Sequence, residues 1–207
     1  MPCIYYSYYT PVSDSIPAIA AQEHQLGRQL LIAGLERFYG LCYSPEELEK
    51  QLKKDANGKP FLSNHPNINF NITHCDGLAA CAFHSHPIGI DAELPGYFAP
   101  VLIKKALSKE EIHFLQQMSS SKENEQEWFF RFWTLKEAFV KQSGTGVDTD
   151  LTAFSFSFCQ HTDSFNITCS LATISCWQTQ LEKGQILSLC YPNTKEPVQL
   201  INSPLSN

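Results

Sequence analysis

Two short stretches carry residues whose types and spacing suit chemistry at a phosphate group. In GIDAE, residues 89–93, Asp91 and Glu93 stand two apart, and in an extended chain that spacing puts both carboxylates on one face. Neighbouring carboxylates repel unless a proton or a cation lies between them. Hard divalent cations such as Mg²⁺ favour such oxygen ligands and keep water and substrate phosphate in their other positions. In FWTLKEAFVK, residues 132–141, Glu137 and Lys141 lie one helical turn apart on a common face, with Lys136 close by. A solvated strand end and an ordinary surface ion pair are the simplest accounts of these two features, and such a pair contributes only about 0.3–0.5 kcal/mol. Phe130 and Trp133 flank the helical pair, however, so its face is not wholly wet. Upstream, NGKP offers Lys59 and Pro60 on a turn, and NITHC offers Thr73 and His74 at a strand end. A turn lysine is ordinarily surface decoration, and a strand histidine ordinarily a satisfied core group.

The elements that must position these residues follow from periodicity. CIYYSYY reads as a strand, and residues 16–39 as a helix with apolar positions at Leu26, Leu30, Leu31, Leu35 and Phe38, stopped by Gly40. SPEELEKQLKKD reads as a second helix, with Ser44 as its cap and Pro45 at the first helical position. INFNITHC, LAACAF and IGIDAE, separated by Asp-Gly and His-Pro punctuation, are expected to form one small antiparallel sheet. SKEEIHFL carries a capping box, Ser108 with Glu111. Residues 123–142 form a long helix ended by Gly144, with Trp128, Phe132, Leu135 and Phe139 as its buried stripe. AFSFSFC, FNITCSLATI, QTQLEK and QILSLCY supply a second set of strands. The expected fold is therefore α+β, with an N-terminal subdomain over 1–97, a C-terminal subdomain over 98–207 and the active site between them.

With 207 residues, 43% of them hydrophobic, the chain can bury one substantial core or two small ones packed together. The formal charge of −6 argues against a broad nucleic-acid surface, so any anionic ligand is held by a local cluster of cations. Eight cysteines occur without one C-x-x-C, which removes the usual zinc and thioredoxin spacings and leaves free thiols of a reducing cytosol. No run has the length and apolarity of a membrane span or an export leader. The expectation is a soluble, cytoplasmic monomer with neither nucleic acid nor membrane as a partner.

The ordered set NGKPFL, NINFNITHC, ACAF, IGIDAE and FWTLKEAFVKQSGTGV resembles the signature of the 4′-phosphopantetheinyl transferases, in particular their Sfp-type, single-chain, pseudo-dimeric class. The resemblance covers roughly residues 28–158. It implies two similar subdomains related by a pseudo-twofold, each a small, mainly antiparallel sheet packed with helices. It also implies transfer of the phosphopantetheinyl arm of coenzyme A to a serine of an apo acyl- or peptidyl-carrier protein. By the same resemblance Asp91, Glu93 and Glu137 hold Mg²⁺, with Mn²⁺ possible, and Asp91, Glu137 and Lys141 are catalytic. Lys59, Pro60, Thr73, His74, Lys136, Lys141 and Arg28 are the implied coenzyme contacts. Two departures stand out: residues 2–26 contain no Lys or Arg, leaving Arg28 as the first cation, and Val147 replaces a more usual Leu. The missing cations favour an alternative, a catalytically weak module of the same fold that binds coenzyme A or a carrier. A third option, Cys75 as an acyltransferase nucleophile beside His74, is opposed by the opposite orientation of adjacent strand residues. Carrier proteins are typically acidic, so Lys104, Lys105 and Lys109 are expected to dock one.

Overall fold

The structure, a computed structural model, describes residues 1–146, 148–161, 164–192 and 196–203; Val147 and the last residues of the second half lie outside the described residues. In chain order the elements are β1 (Cys3–Tyr8), α1 (Ile16–Tyr39), α2 (Pro45–Gln51), β2 (Leu52–Lys54), β3 (Pro60–Leu62), β4 (Asn69–Cys75), β5 (Leu78–His84) and β6 (Gly89–Glu93). There follow α3 (Val101–Ala106), α4 (Lys109–Met118), α5 (Lys122–Ser143), a 3₁₀ turn at Leu151–Ala153, β7 (Phe156–His161), β8 (Ser164–Cys169), β9 (Ile174–Gln180), β10 (Ile186–Pro192) and β11 (Gln199–Asn202). The mixed helix and sheet content is the α+β class expected.

Local sequence accounts for most boundaries. Gly40 and Gly144 end α1 and α5 in the left-handed conformation that a residue without Cβ adopts at least cost. Ser44 and Ser108 each form a complete capping box, with Glu47 and Glu111. The second helix is shorter than its pattern suggests. It stops at Gln51 because Leu52, Lys53 and Lys54 pair with Leu62, Phe61 and Pro60, and strand pairing overrides helix propensity there.

Two sheets pack face to face, with strand orders β11-β1-β5-β4 and β6-β10-β9-β8-β7. Ile4, Ala80 and Ala82 from the first sheet and Ile88, Ile90, Leu187 and Leu189 from the second form one buried layer between them. The outer face of the first sheet is covered by α1 through Leu30, Leu31 and Leu35. The outer face of the second is covered by α5 through Trp128, Phe129, Phe132 and Leu135, with α3 and α4 alongside. The result is a four-layer helix, sheet, sheet, helix arrangement. Among the described residues no helix is long and apolar enough to cross a membrane.

One expectation is corrected here. IGIDAE does not join the sheet of the two strands before it; β6 crosses over and pairs antiparallel with β10, Asp91 opposite Ser188. The apolar residues Ile88, Ile90 and Ala92 then enter the layer between the sheets. The chain end makes the reverse exchange, since β11 pairs parallel with β1. A cut between residues 97 and 98 falls in the irregular connection after β6, yet it parts β6 from β10 and β1 from β11.

Candidate active site

The site is built where β4, β6 and α5 meet. Gly89 permits the meeting: a Cβ at this position would lie 2.0 Å from the Ala138 carbonyl oxygen and 2.3 Å from the Gln142 amide nitrogen. With hydrogen there instead, the backbone of α5 lies directly on β6. Asp91 and Glu93, two and four residues on, share the strand face that looks at this helix, and Glu137 and Lys141 project from the helix toward them.

Lys141 Nζ donates to Oδ1 of the buried Asp91 at 2.6 Å, and Thr73 Oγ1 donates to the same oxygen at 3.3 Å. The other oxygen, Asp91 Oδ2, is buried without a hydrogen-bond partner. Burial pushes the Asp91 carboxyl above its ordinary range, against the opposing pull of Lys141. Burial, with the repulsion of Asp91, pushes Glu93 up to about 7, while Lys141 and the Trp133 indole, which donates to Glu93, act in the other direction. Glu137 is shifted upward first by burial and then by Asp91. Three acids therefore press on one another around a single lysine.

This donor set fits a hard divalent cation, because its oxygens are carboxylate, one of them is orphaned, and burial, with mutual repulsion at Glu93 and Glu137, makes each acid hold its proton more tightly. Among the described residues no group of three or more His, Cys, Asp or Glu side chains is already arranged as a metal cage.

A cavity of about 480 Å³ opens beside the acids, lined among others by Lys59, Pro60, Asn71, Trp133, Glu137 and Lys141. Of the residues singled out in the sequence, Lys59, Pro60, Glu137 and Lys141 thus share one chamber, and Thr73 and Asp91 stand behind it. Lys59 reaches the chamber wall, but its ammonium donates to the carbonyls of Ile88 (3.1 Å), Lys141 (2.5 Å) and Gln142 (3.3 Å). It caps the C-terminal end of α5, where a cation is favoured, and its burial lowers its proton affinity.

The other residues point elsewhere. His74 follows Thr73 on β4 and so faces the opposite side, where its Nδ1 lies 3.1 Å from Glu23 of α1. Arg28 pairs with Glu49 at 2.7 Å and is not part of the cavity wall. His74 turns to Glu23 rather than to Cys75, and burial together with Glu93 and Asp91 raises the Cys75 thiol, the reverse of what a nucleophile needs.

Lys136 does not line the cavity. Consecutive helix residues are rotated by about 100°, so while Glu137 faces β6, Lys136 turns into the protein interior. It is fully buried and forms an ion pair with the equally buried Glu111 at 2.8 Å. Its ammonium also donates to the carbonyls of Leu151 and Phe154 and sits 4.4 Å from the Phe154 ring centroid. Glu111 in turn accepts from the backbone amides of Ser108 and Phe156 at 2.7 and 2.8 Å. The pair ties α4, α5, the 3₁₀ turn and the start of β7 together, and Leu151 is itself part of the cavity wall.

Sequence reasoning missed three contributors. Glu111 looked complete as a capping-box residue, and nothing local signals its second partner. Gly89 had a signal, since an isolated glycine within a strand marks a close backbone approach. Asn71, which lines the cavity and accepts from the Ile90 amide at 2.9 Å, had one too, because it alternates with Thr73 as a second polar residue on the same strand face.

A sequence profile of the 4′-phosphopantetheinyl transferase superfamily matches residues 87–192, from the turn before β6 to the end of β10. The chain is 34% identical over 130 residues to the 4′-phosphopantetheinyl transferase Sfp of Bacillus subtilis, covering 63% of this chain and 55% of that one. It is 32% identical over 102 residues to the 4′-phosphopantetheinyl transferase gsp of Aneurinibacillus migulanus, covering 49% and 41%. It is also 32% identical over 130 residues to the 4′-phosphopantetheinyl transferase HetI of a Nostoc species, covering 58% and 51%. The chain spans about half the length of the curated relatives it matches. The matched segment contains Asp91, Glu93, Glu137 and Lys141, the four residues that β6 and α5 bring face to face, and this chain belongs to the 4′-phosphopantetheinyl transferase superfamily.

Proposed function

We propose that this protein transfers the 4′-phosphopantetheinyl arm of coenzyme A to a serine of an apo acyl- or peptidyl-carrier protein, releasing adenosine 3′,5′-bisphosphate. The observation that carries the reading is the meeting of Asp91, Glu93 and Glu137 around the single cation Lys141, with Asp91 Oδ2 left without a partner, at the wall of the cavity. The names of the relatives support the choice of reaction.

Three carboxylates by themselves repel a diphosphate. Asp91, Glu93 and Glu137 would hold Mg²⁺, with Mn²⁺ able to replace it, and the bound ion would supply charge neutralisation at the diphosphate oxygens. Lys141 is proposed to exchange the Asp91 carboxylate for a phosphate oxygen near the reacting phosphorus and to offset the charge that develops there. Thr73, which donates to Asp91, holds that carboxylate in orientation. Lys59 and Pro60 form the chamber wall against which the coenzyme would lie. In the transfer the serine oxygen forms its bond to phosphorus, and the bond from phosphorus to the bridging oxygen breaks. The departing bisphosphate keeps the electron pair. Glu137, whose proton affinity burial raises, takes the serine proton directly or through a water.

The proposed enzyme acts as a cytoplasmic monomer. Its carrier would dock on the exposed lysines Lys104 and Lys105 at the end of α3 and Lys109 at the start of α4, cations suited to an acidic partner. Reversing the charge of Lys104 and Lys105 should raise the carrier KM. The decisive assay incubates apo carrier proteins with coenzyme A, Mg²⁺ and this chain, and looks by mass spectrometry for the gain of one phosphopantetheinyl arm. A panel of carriers left unmodified by protein that still binds coenzyme A would overturn the reading.

A further inference from the structure

We propose that a polar seam of the half-buried Gln178 and the buried Ser188 and Thr134 positions α5 over the sheet, so that Trp133 and Glu137 face the carboxylates of β6. The inference rests on the reading of those carboxylates as the working acids of the site. Thr134 and Ser188 are completely buried, within a helix-to-sheet interface otherwise made of Trp128, Phe129, Phe132, Leu135 and Ala138. Ser188 Oγ lies 2.7 Å from Thr134 Oγ1, and Gln178 Nε2 donates to Ser188 Oγ at 2.7 Å and to the Arg131 carbonyl at 2.9 Å. Thr134 Oγ1 lies 2.9 Å from the Phe130 carbonyl.

The proton order closes without a gap. The Gln178 amide donates to Ser188, Ser188 donates to Thr134, and Thr134 donates back to the helix carbonyl one turn earlier. The Gln178 oxygen accepts from the Arg131 guanidinium at 3.2 Å, which sets the orientation of the amide, and Glu127 holds that guanidinium at 2.8 Å. Every member of the chain is satisfied, so the seam is directional where the aromatic packing around it is not.

Its location gives the seam its consequence. Ser188 on β10 is the strand partner of Asp91 on β6, and Thr134 lies one turn before Glu137 on α5. The hydroxyl pair therefore joins helix and sheet at the level of the metal-strand acid, and it sets both the rotation and the sliding of α5 there. Trp133, next to Thr134, donates its indole N–H to Glu93 and reports on that alignment.

The test uses the ¹⁵N-labelled 207-residue chain without added ligand and follows the Trp133 indole resonance, then titrates Mn²⁺. Ser188→Ala, which is remote from Trp133 in sequence, and Thr134→Val are expected to hasten solvent exchange of that indole and to weaken Mn²⁺ binding about tenfold, the low end of what loss of support around a ligand costs, because the shifted helix carries Glu137 out of line with β6. Thr134→Ser, which keeps the hydroxyl, should match the wild type in both readouts. The paired variant Thr134→Val with Ser188→Ala leaves no orphaned hydroxyl, and the Gln178 amide still donates to the Arg131 carbonyl, so it is expected to keep the fold while losing the alignment. Indole exchange and Mn²⁺ midpoint both unchanged in these variants, with only the melting temperature lowered, overturn the proposal. A wild type that takes up no Mn²⁺ overturns the metal reading instead, and indole exchange alone then decides for or against the seam.

Discussion

Lys141 on α5 holds its ammonium 2.6 Å from Oδ1 of Asp91 on β6, so the site's cation and its most buried acid neutralise each other across two elements. On the proposed reading, a diphosphate with its metal would draw this lysine away from Asp91.

Lys141→Met should therefore lower kcat/KM for carrier loading by about 10²- to 10³-fold, as loss of a donor aimed at developing charge does. Lys141→Arg should recover part of that loss. Steady-state assays with coenzyme A and an apo carrier would measure both, and an unimpaired methionine variant would contradict the assigned role.

The acids make a signed prediction about pH. Glu93 is pushed from the ordinary 4.5 to about 7, and Asp91 and Glu137 move in the same direction. Between those two values the folded protein binds more protons than the unfolded chain. The effect of Glu93 is absent below that window, grows more unfavourable to folding as pH rises through it, and stays constant above it. Glu93→Gln is expected to stabilise the ligand-free protein near pH 8 by about 1–2 kcal/mol, discounted for solvent around a half-buried carboxyl. It should also flatten the decline of melting temperature with pH. Mg²⁺ should stabilise the wild type more as pH rises, because proton and metal compete for the same oxygens.

Gly89→Ala is expected to destabilise the fold by about 1–3 kcal/mol, since the added methyl meets helix backbone rather than a movable side chain. Its activity loss should exceed what the unfolded fraction explains, because α5 carries Glu137 and Lys141 away as it retreats. Urea unfolding beside carrier loading would separate the two effects.

Breaking the interior pair should act differently. Lys136→Met leaves Glu111 buried and unpaired and is expected to cost about 3–5 kcal/mol. Coenzyme A affinity per folded molecule should stay close to that of the wild type, because Lys136 faces Glu111 and not the cavity. A variant that folds normally but no longer binds the coenzyme would return Lys136 to the ligand contacts.

What the amino-acid sequence determined by itself is what covalent periodicity controls. The two-residue spacing of Asp91 and Glu93 put them on one strand face, the four-residue spacing of Glu137 and Lys141 put them on one helix face, and Ser108 with Glu111, or Gly144, marked where helices begin and end. Periodicity says which side chains share a face and is silent on what lies opposite. Tertiary structure alone decided that β6 pairs with β10 rather than with its neighbours in the chain, and that β11 returns to β1. It alone turned Lys136 toward Glu111, set Lys59 against the carbonyls at the end of α5, and sent His74 to Glu23 while Thr73 met Asp91. These outcomes depend on burial and pairing between residues far apart in the chain, where free energy is shared among many contacts and no short motif encodes the partner.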